Sequence, residues 1–457
     1  MGGDMLSEMK YISTVPFSGL FNWSVQYLND SKILFSKAYS MMRIGEFLKR
    51  KKTAVTIQDG LKYKRVTIKV RNGGVFLRDE VMGENIGTKK QYLVSEGQFI
   101  LSKIDARNGA MGIVPAELNG AVVTQDFLPY DIDTTKVNPQ YFVLVCTTKQ
   151  FIEFCQSCSS GTTNRQRVDE TQFLKIKVPV PSLVEQNKLV EEYNKLIQYA
   201  NKIKLEIVNN EDNLKKWLIN RLSICTTQNI QSTSLIQYIQ YSTINKWSIN
   251  DILKSGIYNF SKCPYNVIPI GSVITYFEGG KTPSTKQPKY WGDDVYWVSA
   301  KDMKELYLKT IKDKLSNYGV EYSKLRVYPT GTILGVFRSG ILRRSFPICI
   351  TTTPVTINQD LKAIGVDETI IAKKFFLYYL DLLQDLVLSL CCKKGVTVES
   401  ISTECFLSMP IVCPPLEEQN EIIEYIDLVK TEMLNQNRQV EEYKTIALIN
   451  FETQIFE

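Results

Sequence analysis

An internal repeat restricts this chain more than any other feature of its sequence. Trp23-Ser24-Val25 returns as Trp247-Ser248-Ile249, and Ile44-Gly45-Glu46 as Ile270-Gly271-Ser272. Gln125-Asp126-Phe127 returns as Gln359-Asp360-Leu361. Pro181-Ser182-Leu183-Val184-Glu185-Gln186 returns as Pro414-Pro415-Leu416-Glu417-Glu418-Gln419. Each match alone is weak. Four in one order, at offsets that drift from 224 to 226, 234 and 233, are what a duplication with small insertions leaves behind. The 457 residues therefore form two homologous halves, within a length that suits two to four domains.

Each half follows one plan. A mixed segment with short strand-like runs, Lys64 to Val70 or Thr332 to Phe337, is broken by Gly-rich turns. A helix-like stretch follows, Pro139 to Gln156 or Thr369 to Cys391, then a loop led by Gly161 or Gly395. A proline-bounded extended segment, Val178 to Pro181 or Met409 to Pro415, cannot continue a helix and marks the end of the globular part.

A long helix is expected after each proline segment. Leu189, Tyr193, Leu196, Ala200, Ile203 and Ile207 recur at alternating spacings of four and three, continuing through Asn210 to Leu214 and Trp217. Ile422, Ile426, Val429 and Met433 lead through Gln436 to Val440, Tyr443 and Ala447 in the same rhythm. These are a and d seams over about four heptads each. The offset of 233 superposes one seam on the other. Each helix could pack on its own domain, but two narrow matching seams most simply bury one another. The polar seam positions Asn210 and Gln436 could fix the register. The expected fold is thus α/β: two homologous mixed α/β domains, each followed by a long helix. The two helices are expected to pair as an antiparallel coiled coil with pseudo-twofold symmetry. The boundaries are 1–184 for the first domain, 185–224 for its helix, 225–244 for a linker, 245–416 for the second domain and 417–457 for its helix.

Composition narrows the chemistry. The chain contains no histidine, which removes the commonest general base, every Ser-His or Cys-His nucleophile and the commonest metal ligand. Ten cysteines are scattered, with one CxxC at Cys155 and Cys158, so reduced structural thiols are expected rather than a zinc site. No secretory signal is visible, and the most apolar stretch, Phe375 to Cys392, carries Asp381, Gln384 and Asp385. A cytoplasmic protein without membrane contact is the expectation. The net charge is +7, but residues 43–110 carry +8 and residues 279–344 carry +7, leaving −8 for the rest. Two basic zones on an acidic background suit phosphate contacts or, equally, solvated sheet surfaces.

The doubled proline-Glu-Gln motif followed by a heptad helix resembles the specificity subunit of type I restriction-modification enzymes. Gly279-Gly280-Lys281-Thr282-Pro283-Ser284, Tyr290-Trp291-Gly292, Trp297-Val298-Ser299 and Asp302-Met303 are similar to the opening of one of that family's target-recognition domains. Lys64-Arg65-Val66-Thr67 and Ser102-Lys103-Ile104-Asp105-Ala106-Arg107-Asn108-Gly109 resemble another type. The resemblance implies that each domain reads one half of a split, asymmetric DNA site. The helices would set the spacing and dock two modification subunits, which bind S-adenosylmethionine and methylate adenine. Restriction subunits that use ATP could join. The chain itself would bind no cofactor or metal and carry no catalytic residue. About 30 helical residues span roughly 45 Å, or about 13 base-pair steps.

Candidate DNA contacts follow from residue chemistry. Arg reads guanine and Asn adenine through paired hydrogen bonds in the major groove, whereas Lys and many Arg residues meet phosphates. In the first half the candidates are Lys62, Lys64, Arg65, Arg71, Lys103, Arg107 and Asn108, with Thr163, Asn164 and Arg165 in the polar loop after Gly161. In the second they are Lys281, Thr282, Ser284, Arg338, Arg343 and Arg344. Gly279-Gly280-Lys281-Thr282 is not a nucleotide loop, because Thr275 stands where the earlier glycine belongs. Tyr290, Trp291, Tyr296 and Trp297 suit core positions better than base stacking. Asp79-Glu80 and Asp293-Asp294 would be the carboxylates of a stand-alone metal-dependent nuclease, the principal alternative. A coiled-coil adaptor that binds nucleic acid without sequence preference is the other.

Overall fold

The computed structural model describes residues 39–157, 159–160, 167–226, 258–393, 395 and 398–456. The repeated tripeptides at Trp23 and Trp247, the loop residues Gly161, Thr163, Asn164 and Arg165, Val396 and Thr397, and the expected linker beyond Thr226 lie outside them. The chain divides into two compact units, residues 1–203 with 438–457, and residues 204–437.

In the first unit, four antiparallel strands lie in the order Leu48–Arg50, Phe127–Ile132, Phe99–Ser102, Met111–Ile113. Phe99, Tyr130, Phe142, Phe151 and Phe173 are buried behind this sheet, with ring centroids 4.9–6.5 Å apart. Their burial removes large apolar area from water and is the main force holding sheet to helix. Helix Pro139–Thr147 starts where expected. Asn138 accepts from the Gln140 and Tyr141 amides, and Pro139 occupies the first turn, where its missing N–H costs nothing. A second sheet, in the order Thr53–Thr56, Lys90–Leu93, Val122–Val123, Lys62–Lys69, Gly74–Met82, ends in a long hairpin.

In the second unit, strands Ile274–Gly279, Leu361–Val366, Ile333–Val336 and Ile348–Thr351 repeat the four-strand order, and Tyr307–Leu308 adds a parallel fifth. Its other sheet has only three strands, Asp313–Leu315, Trp291–Val298 and Val355–Ile357. The scaffold sheet is shared and the second sheet is not.

The expected continuous helix breaks in both halves, into Pro139–Thr147 and Lys149–Ser157, and into Lys373–Leu382 and Gln384–Cys391. Thr148 turns the backbone extended, and its hydroxyl accepts from the Phe151 amide to start the next helix. Leu383 makes the second break at φ −106° and ψ 30°. The proline segments become strands. Lys177–Pro179 pairs with Met41–Arg43, and Pro410–Cys413 with Asn266–Pro269, so each half closes its beginning on its end. Both are two-stranded edges, where a proline lacking an N–H is tolerated.

The long helices span Leu183–Arg221 and Leu416–Phe456, 39 and 41 residues. At ~1.5 Å per residue each is roughly 60 Å long, more than the roughly 45 Å that about 30 seam residues span. Leu189, Ala200, Ile207, Leu214, Ile422, Ile426, Met433, Val440 and Ala447 are buried. Tyr193, Leu196, Ile203, Trp217, Val429 and Tyr443 are half-buried. Leu205 and Leu428, off the seams, are 67% and 68% exposed. In the first unit Tyr193 lies 6.5 Å from Phe451, and Tyr199 lies 6.1 Å from Tyr443. In the second, Trp217 stacks on Tyr425 at 4.0 Å, and Arg221 pairs with Glu418 at 3.1 Å. Within each unit, residue numbers rise along one helix segment as they fall along the other.

Candidate nucleic-acid interface

The first unit sorts its candidates into three places. The long hairpin turns through Arg71 and Asn72, both left-handed at φ 56° and 54°, the conformation of a tight twisted hairpin. The Arg71 amide donates to the Asn108 carbonyl at 2.6 Å and the Asn72 amide to the Gly109 carbonyl at 3.0 Å. Gly109 is itself left-handed, and a side chain there would meet the Asn72 amide oxygen at 2.7 Å. Two turns distant in sequence thus lock together and present exposed Arg71 and Asn108 beside half-buried Arg107. The Arg107 carbonyl accepts from Gln156 Nε2 at 3.2 Å. Arginines and an asparagine at one point have the donor and acceptor chemistry of base-edge reading.

At the other end of the same hairpin the charges are already paired. Lys62 meets Glu80 at 2.6 Å, Lys64 Nζ donates to the Glu117 carbonyl at 2.8 Å, and Arg65 grips Asp79 through two bonds of 2.7 and 2.6 Å. Arg65 holds the Asp79 carboxyl below its ordinary range, and Lys62 does the same to Glu80. The Lys62–Glu80 and Arg65–Asp79 pairs bridge the two strands of a twisted ribbon, whereas Lys64 reaches a carbonyl outside it. The Asp79-Glu80 carboxylates that a nuclease reading would use are occupied by them.

Lys103, expected beside Arg107 and Asn108, contributes instead to a cleft of about 280 Å³, together with Arg50, Lys52, Tyr92, Gln125, Asp126, Leu128 and Arg167. Arg50 donates to the Pro129 carbonyl at 2.7 Å and pairs with Glu170 at 3.2 Å. Burial pushes its guanidinium down from its ordinary value, while Glu170 pulls it up. Sequence reasoning singled out neither Arg50, Lys52 nor Arg167. The basic zone contained the first two, and no local signal marked the third.

In the second unit Lys281, Thr282 and Ser284 are exposed on the segment after Gly280. A side chain at Gly280 would lie 1.7 Å from the Ile357 carbonyl, so this glycine permits close approach rather than a phosphate loop. Trp297 Nε1 donates to the Lys281 carbonyl at 3.1 Å and Trp291 Nε1 to that of Ser284 at 3.3 Å, pinning the segment from below. Tyr290 and Trp297 are buried, whereas Trp291 and Tyr296 are half-buried. Thr282 Oγ1 bonds Gln359 Oε1 at 2.5 Å. Arg338, Arg343 and Arg344 are exposed around the turn Gly340–Arg343, with Arg343 paired to Glu399 at 2.6 Å. Lys301, Lys304, Lys309 and Lys312 surround a cleft of about 180 Å³ that sequence reasoning did not single out. Asp294 accepts from the Asn317 amide at 2.9 Å and so serves a helix start. Among the described residues no three His, Cys, Asp or Glu side chains gather as metal ligands, and no helix is long and apolar enough to cross a membrane.

One α/β scaffold used twice, each copy carrying its own cationic insertions and continued by a long helix, defines a duplicated, modular class of protein. The family model for the type I restriction modification DNA specificity domain matches residues 37–211 and again 264–442. The chain belongs to this family. It is 29% identical over 163 residues to the EcoR124I/EcoR124II specificity subunit of Escherichia coli, covering 35% of this chain and 40% of that one. It is 28% identical over 180 residues to the MjaIX specificity subunit of Methanocaldococcus jannaschii, covering 37% and 39%. The chain thus spans about two fifths of the length of the curated relatives it matches. A solved chain of a type I R-M system shares the fold at TM-score 0.51 and 15% identity, over 92% of this chain and 97% of that one.

Proposed function

We propose that this chain is the DNA-reading subunit of a type I restriction-modification assembly, and that it recognises a bipartite, asymmetric duplex site. Residues 1–184 and 245–416 serve as the two recognition domains, joined through 225–244. The helices at 185–224 and 417–457 form the spacer. The observation that carries this reading is the shared four-strand scaffold beside unlike second sheets and unlike cationic surfaces. A common scaffold presents two readers to DNA in the same manner, and different insertions read different bases.

The helices pair as an antiparallel coiled coil that relates the halves by a pseudo-twofold axis. The opposed contacts of Tyr193 with Phe451 and of Trp217 with Tyr425 support that pairing. The assembly places two modification subunits, which hold S-adenosylmethionine and methylate adenine. Restriction subunits using ATP join them, and the chain itself has no catalytic role. It works in the cytoplasm, where its DNA lies.

The test is reconstitution. The chain alone should transfer no methyl group, and the chain with a modification subunit should methylate adenine at one split sequence. Methyl transfer by the chain alone, or methylation without a split site, contradicts the reading.

A further inference from the structure

The cleft at Lys103 occupies a scaffold position that the two halves fill in opposite ways. The Lys103 amide donates to the Asp126 carbonyl, and the Phe337 amide donates to that of Asp360. Val168 bonds the Lys103 carbonyl as Ile401 bonds that of Phe337. By the same registers Arg50 corresponds to Phe277, and Arg167 to Ser400. In the second unit the counterparts of Lys103 and Arg50 are the phenylalanines Phe337 and Phe277, that of Arg167 is the uncharged Ser400, and one lysine, Lys362, lies 5.4 Å over the Phe277 ring. Phe277 and Phe337 pack edge to face at 5.1 Å, and both contact Phe406. The second unit closes this position with aromatic packing, whereas the first places cations there, of which Arg50 serves the fold through the Pro129 carbonyl and Glu170.

Cations brought close together repel and lose hydration unless something neutralises them. Arg50 has Glu170 and Arg167 has Asp126, at 3.2 and 3.1 Å. Lys52 and Lys103 line the same cleft and have no carboxylate partner among the described residues. We infer that this cleft takes a backbone phosphate of duplex DNA, held by Lys52 and Lys103 with Arg167 beside them, and that the second half, with phenylalanines at the Arg50 and Lys103 positions, has no equivalent cluster of cations. The inference rests on the DNA-reading function proposed above. It assigns Lys103 to the DNA backbone rather than to a base, and it makes the grip on DNA unequal between the half-sites.

Counterion release supplies the test. Each phosphate contact contributes about 0.9 to the slope of log affinity against log salt. The full chain with its modification subunits is titrated with a duplex bearing the methylated site and with a random-sequence duplex, across a salt series. Lys52→Gln and Lys103→Gln should each make the slope shallower, and the double variant by about one in all, on both duplexes, leaving the ratio of specific to random affinity unchanged. Lys149→Gln, at a side chain 85% exposed and paired with Glu153, should leave the slope as it was. Unchanged slopes in both cleft variants overturn the phosphate site. A collapse of the specificity ratio in Lys103→Gln also overturns it, by making Lys103 a base reader. If the unaltered complex shows no preference for a split site, the recognition reading fails, and the cleft is still judged by the slope on the random duplex.

Discussion

Gln186 and Gln419, 233 positions apart, make the same three hydrogen bonds. Each is fully buried at the start of a long helix. Gln186 Nε2 donates to the carbonyls of Pro181 and Lys136, and its Oε1 accepts the Asn138 amide at 2.7 Å. Gln419 Nε2 donates to Pro414 and Ile370, and its Oε1 accepts the Ala372 amide, again at 2.7 Å. The motif that revealed the duplication is thus a clamp between long helix and domain. Gln186→Leu or Gln419→Leu leaves a buried amide and carbonyls unpaired, at a cost of about 1–3 kcal/mol each. Denaturant midpoints should fall accordingly, and hydrogen exchange should quicken at the Asn138 or Ala372 amide. Unaltered midpoints would show that the clamp contributes no stability.

At the two interlocked turns, Arg71→Ala and Asn108→Ala should relax preference at positions within one half-site only, each by about 1–3 kcal/mol of discrimination. Arg65→Ala should leave the preference intact, because Asp79 already occupies its guanidinium. Binding to a library of randomised sites measures both effects.

Gly280→Ala pushes a methyl group against the Ile357 carbonyl and must displace the segment from Lys281 to Ser284. The expected result is a lower melting temperature and weaker reading of the second half-site. Gly340→Ala, which meets open space, is the matched control.

The helix seam contains an uncompensated polar group. Gln436 Oε1 is buried with no hydrogen-bond partner among the described residues. Gln436→Leu should stabilise the protein by on the order of 1 kcal/mol in chemical denaturation. If Asn210 fixes the register, Asn210→Leu should alter the pairing seen in cysteine cross-links along the helices; unchanged cross-links assign it no such role.

Burial pushes the Cys349 thiol up to about 12. Folding therefore favours its protonated form. That contribution is whole below the ordinary thiol range and is lost as pH rises toward 12. A thiol reagent at mildly alkaline pH should spare Cys349 in the native protein and label it after denaturation. Rapid native labelling would contradict its placement.

The duplication, the two seams and the unequal character of the halves were legible because they are periodic or local in sequence. Tyr193 and Trp217 show as seam residues by spacing alone. The helix breaks were not, since Thr148 and Leu383 are not helix breakers by type, and backbone geometry decides there. Nor was the division of the basic residues among places. Lys62, Arg65 and Arg71 share one hairpin, yet cross-strand pairing occupies the first two and leaves the third exposed at a turn. Arg50, Lys103 and Arg167 meet only because strands distant in sequence pair. That pairing depends on tertiary register, which no short motif encodes.

In the proposed function the two halves read DNA independently. Residues 1–180 are replaced with the recognition domain of another family member, and methylated adenines are mapped across the genome of cells carrying the chimera and its modification subunit. One half-site should change to the donor's sequence while the other is retained. Loss of both specificities, or a change in both, would contradict it.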